Sequence, residues 1–146
     1  STLFPYPTLF RSVVLTGHYG PCQVNFIKRV AAYYMKEHPE LTILAQPEYE
    51  GVTVRGEVPA DHAGKWETSL FWQMYPELTH MENFRYEVTK QKLYGNPPND
   101  YYKEGEKWEW KDDVLHLSSR ELGAECLELI SDHLVETIRE ALSEVS

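Results

Sequence analysis

Between Val13 and Ala45 the chain reads strand, helix, strand, and no other feature constrains the fold as much. Residues 13–15 form a short apolar run that ends at Thr16-Gly17. Over residues 23–38, Val24, Ile27, Val30, Ala31, Tyr34 and Met35 recur at helical spacing until Pro39 stops the pattern. Residues 41–45 form a second apolar run. Two buried strands joined by a helix predict a parallel pair with a right-handed crossover, in which ligands gather beyond the carboxyl ends of the strands. His18 directly follows the first of those ends.

Residues 46–60 carry Pro47, Gly51, Gly56 and Pro59 with alternating Val52, Val54 and Val58, which predicts a loop or irregular hairpin able to line a pocket. A second helix is expected over residues 65–75, where Leu70, Phe71, Trp72 and Met74 precede the breaker Pro76. Trp66 and Trp72 on it are expected in a core or an interface. Residues 94–113 are rich in Gly, Pro, Asn and charge, and predict a long loop. Its Tyr101, Tyr102, Trp108 and Trp110 are expected to cover a pocket or seal an interface, and its acidic residues to make a solvated face. Ser118-Ser119-Arg120-Glu121 has the capping-box pattern. It precedes an amphipathic helix with Leu122, Cys126, Leu129, Ile130, Leu134, Ile138 and Leu142.

At 146 residues with 42% hydrophobic side chains the chain can bury one sizeable core. A formal charge of −9 argues against nucleic acid or an anionic membrane surface as partner, because phosphate neutralisation needs clustered Lys and Arg. No apolar run approaches the length of about 18 residues that a membrane span needs. Cys22 and Cys126 form no CxxC pair, which fits reduced thiols in a cytoplasmic protein.

Two places carry candidate chemistry. His18, between Gly17 and Gly20 at a strand end, is placed to act as a metal ligand or general base, or to be a hydrogen-bonded turn residue. His62 and Glu67 set an imidazole at a helix entrance and a carboxylate in its first turn, a proton-transfer group beside an anion favoured by the helix dipole. The same residues also fit a plainer reading. Asp61 or Thr68 would cap the helix, Glu67 would complement the dipole, and His62 would sit in solvent.

The stretch Asp61-His62-Ala63-Gly64-Lys65-Trp66-Glu67-Thr68-Ser69 resembles the HAGExETS signature of the creatininase family of metal-dependent amide hydrolases. Val13-Val14-Leu15-Thr16-Gly17-His18-Tyr19-Gly20 resembles that family's strand and NGHGGN turn, in the same chain order. The resemblance extends over nearly all of residues 13–146, including Leu117-Ser118-Ser119-Arg120-Glu121-Leu122-Gly123. It implies an α/β, three-layer fold with a mainly parallel sheet flanked by helices. It also implies two divalent metals, zinc or manganese, a small-molecule amide substrate and a homo-oligomer. His18 would be a metal ligand, His62 the catalytic group that passes a proton to the leaving nitrogen, and Glu67 the acid that orients or binds at the metal centre.

Thr16 and Pro21 replace the two Asn of the turn, and Lys65 stands where the signature has its first Glu. Gly20 stands where creatininase proper has an acidic ligand, and no tryptophan occurs between Leu41 and Asp61, so a substrate other than creatinine is expected. The family's upstream E-x-H-G-x-H, the source of most metal ligands, does not occur in this sequence. Residues 13–146 are therefore expected to be the carboxyl-terminal portion of a single domain whose amino-terminal half is missing, and to be inactive alone. Residues 1–12 resemble a translated sequencing adapter and are expected to be an artefactual leader. The alternatives are a non-catalytic binding or assembly domain that retains the fold, and a formyl-amide hydrolase of the same superfamily.

Overall fold

Strand β1, Phe10–Thr16, pairs in parallel with β2, Leu41–Pro47, in a register that runs from Phe10 opposite Leu41 to Thr16 opposite Pro47. The computed structural model describes residues 10–17, 20–88 and 105–143. Helix α1, Pro21–Glu37, joins the two strands. Pro21 starts it at a position where a missing N–H costs nothing, and the His38 N–H closes it on the Tyr34 carbonyl at 2.8 Å. The strand–helix–strand expectation holds, with both strands longer than the apolar runs. Arg11 and Ser12 belong to β1 because they pair with Thr42 and Ile43, so the strand begins inside the segment expected to be a leader.

The described chain divides into two compact units. One comprises the residues up to Ala60 together with those from Glu128 on, and the other is Asp61–Leu127.

In the first unit Ala31, Val52, Val54 and Ile130 are buried. The expected irregular hairpin is a tight turn in which Val54 and Glu57 exchange both backbone hydrogen bonds, at 2.8 and 3.0 Å. Arg55 and Gly56 between them both have positive φ, the signature of the mirror-image turn that matches strand twist. Lys28 on α1 pairs with Glu50, Nζ lying 2.6 Å from Oε1. Val13, Val14 and Leu15 in β1 stay 40–47% exposed. Since successive strand residues point to opposite faces, both faces of β1 present apolar side chains to solvent.

The second unit holds α2, Lys65–Met74, two single 3₁₀ turns at Pro76–Leu78 and Met81–Asn83, and a short α3, Val114–Leu117. Helix α4, Arg120–Ser143, begins in this unit and ends in the first. Ser119, one residue later than the capping-box pattern suggests, caps α4 by accepting the Leu122 N–H at 3.0 Å. Ser118 instead closes α3, its N–H bonded to the Val114 carbonyl at 3.1 Å. Trp66, Val114, Leu122 and Cys126 are buried, which settles Trp66 as a core residue, and Trp72 is half-buried. The described residues thus show helices and a small parallel sheet, compatible with α/β. Among them no helix is long and apolar enough to cross a membrane.

Candidate functional site

The segment Asp61–Ser69 is built so that its polar residues hold its own backbone. Helix α2 begins at Lys65 with Gly64 before it, and its first free N–H groups need acceptors. Asp61 supplies them, Oδ2 accepting from the Trp66 N–H at 2.8 Å and Oδ1 from the Glu67 N–H at 3.1 Å. A β-carbon at Gly64 would run into the Asp61 carboxylate, so a larger residue there would displace the cap. Replacing Asp61 by Ala is expected to cost about 1 kcal/mol, the usual worth of a helix cap. Urea denaturation of the two proteins checks this, and equal midpoints would contradict the capping role.

Ala63 has φ 50°, a left-handed conformation that a residue with a β-carbon adopts only when held there. Glu67 Oε2 accepts its N–H at 2.7 Å, and Thr68 Oγ1 approaches its carbonyl at 3.4 Å. Ser69 completes the triplet. It is fully buried, donates Oγ–H to the Lys65 carbonyl at 2.5 Å and accepts the Ser119 N–H at 3.1 Å. Glu67, Thr68 and Ser69 thus fix the peptides around Ala63 and tie α2 to the entrance of α4. Gly123 on α4 lies so close that a β-carbon on it would overlap the Ser69 carbonyl oxygen. The carboxylate in the first turn also complements the helix dipole.

His62 is exposed, with its backbone held between the Asp61 cap and the clamped Ala63. Its ring lies against the Trp108 indole, centroids 5.4 Å apart and planes tilted by 53°. Trp108 is half-buried and belongs to an aromatic row. The row runs from Trp108 to Trp110 (6.1 Å), from Trp110 to Phe84 (4.9 Å) and from Phe84 to Tyr86 (4.9 Å). The Trp108 main-chain N–H bonds the Val88 carbonyl at 2.9 Å, and Trp110 Nε1 donates to the Tyr86 carbonyl at 3.0 Å. The Tyr86 hydroxyl donates to Asp113, which also meets His116 Nδ1 at 2.9 Å and caps α3. That shared hydrogen bond raises the tyrosine pKa and lowers the carboxyl pKa. Asp113 is therefore more than part of a solvated acidic face.

Of the sequence-predicted site residues, His62 in the loop and Glu67 in the first turn of α2 are joined through the Ala63 N–H. His18 lies outside the described residues, as do Tyr101 and Tyr102. The chain is described again from Gly20, and Gln23 Nε2 on α1 donates to buried Thr16 Oγ1 at 2.8 Å. Among the described residues no three His, Cys, Asp or Glu side chains converge in a way that could hold a metal. The described donors do not by themselves fit a metal centre, and the roles that follow from their geometry are those of protein groups alone. The neighbour that sequence reading misses is Trp108. The aromatic pattern marks it as a covering residue, and nothing in the spacing pairs it with His62.

Residues 9–138 match the family model described as creatininase, creatinine amidohydrolase. No curated protein and no solved structure matches the chain. With both ordered motifs inside a match that spans most of its length, the chain belongs to the creatininase family.

Proposed function

We propose that the protein is a metal-dependent hydrolase of amide C–N bonds in small molecules, with His62 passing a proton to the leaving nitrogen. The observation that carries this reading is the His62 loop, which lies within the family match and has its backbone fixed on both sides while the imidazole stays exposed. A group that moves a proton in the transition state needs this combination of fixed position and access. Glu67 has the orienting role, through the Ala63 N–H.

When bound, a divalent zinc or manganese pair would supply an activated water. Its ligands would be His18, Glu67 and an upstream E-x-H-G-x-H provided by the complete gene product. The apolar side chains left open on both faces of β1 support a larger sheet in that product. Exposed Phe26, Tyr33 and Tyr34 on α1 support its assembly, in our reading as a homo-oligomer.

Incubating the protein from its complete reading frame with lactams, formamides and small linear amides tests the reading. Turnover of at least one class is expected, with the rate lost on chelation and restored by zinc or manganese. Turnover that is indifferent to chelation would remove the metal from the account. Formamide turnover without lactam turnover would identify a formyl-amide hydrolase.

One observation favours a second reading, a non-catalytic domain. Lys65, in place of the signature's acid, packs its ammonium 4.7 Å from the centroid of the buried Trp66 ring. If the folded complete protein hydrolyses no amide, this second reading stands.

A further inference from the structure

We propose that Trp108 is a positioning residue for the His62 imidazole, an inference that rests on His62 being the proton-transfer group. The loop fixes the His62 backbone, whereas the orientation of the ring depends on what the ring touches. The indole at 5.4 Å limits rotation of the imidazole from outside the loop. Trp108 can do so because its main chain is held by its backbone N–H on the Val88 carbonyl and its indole by the ring contact to Trp110. Trp110 is held in turn by Phe84 and by the Tyr86 carbonyl. A ring kept in one orientation presents its nitrogen to the substrate without first losing rotamer freedom, and small misplacements of a catalytic group cost up to about 10²-fold in rate.

The test has two readouts. In spectra of the 146-residue chain with labelled histidine, the ring current of Trp108 shifts the His62 Cε1–H and Cδ2–H resonances. Trp108→Ala is expected to abolish that shift, and Trp108→Phe to keep part of it. In the complete protein, Trp108→Ala is expected to lower kcat by roughly 10- to 10²-fold with KM little changed, and Trp108→Phe to recover most of the loss. Should Trp108→Ala fail to fold, Trp108→Phe alone must show a reduced ring current and an intermediate kcat.

His62 resonances at one position in all three proteins would overturn the contact. An unchanged kcat in Trp108→Ala with the ring current lost would overturn the positioning role. If His62→Gln leaves hydrolysis intact, the assignment of His62 fails and the positioning role fails with it, whatever the spectra show.

Discussion

Replacing His62 by Gln in the complete protein is expected to lower kcat by about 10²- to 10⁴-fold, the usual contribution of a general acid or base. Glutamine keeps much of the size and hydrogen-bonding capacity of the side chain and cannot exchange a proton near neutral pH. His62 is exposed, and the loop around it is held by Asp61 and Glu67, so the substitution should leave stability within about 0.5 kcal/mol. KM should change little, because proton transfer to the leaving nitrogen strengthens only in the transition state. Steady-state kinetics with the best amide of the panel, paired with a denaturation curve, separates the two effects. A raised KM at constant kcat would make His62 a binding residue instead.

The second large effect is on folding. Trp66→Ala is expected to destabilise the protein by about 3–5 kcal/mol, the range for removal of a buried tryptophan side chain. Only 2% of Trp66 is exposed, and its main chain is fixed by the Asp61 cap. Its neighbours have little room to collapse, because Ser69 and Gly123 hold α2 and α4 at backbone contact. Most of the void left by the indole should therefore persist. Urea denaturation followed by circular dichroism reads the change, and a loss below about 1 kcal/mol would show that the region repacks.

The parts of the fold legible in the sequence are those with a local cause. Periodic apolar residues and the breakers Pro39 and Pro76 locate α1, β2 and α2 to within a few residues. The alternation of Val52 and Val54 around glycines foretells the turn at Arg55-Gly56. Strand β1 reads too short because Arg11 and Ser12 look like loop residues until Thr42 and Ile43 pair with them. Helix α3 is a single turn nucleated by Asp113, which leaves no periodicity to find. The cap of α4 reads one residue early because two serines stand in succession, and only the hydrogen bond from Leu122 chooses between them.

The candidate site is legible in a different sense. Its motif points to His62 and Glu67, and local chemistry allows Asp61 as a cap. The sequence does not say that Glu67, Thr68 and Ser69 act in turn on the Ala63 N–H, the Ala63 carbonyl and the entrance of α4. Nor does it bring Trp108 to His62, since that contact depends on how the chain between them folds back.

The most direct test of the central claim is to run the reaction in ¹⁸O-labelled water and weigh the product. The complete protein, given the best amide of the panel and zinc or manganese, is expected to release the amine and a carboxylate with one ¹⁸O from solvent. An intact amide, or a product without label, from protein shown to be folded would contradict the hydrolase.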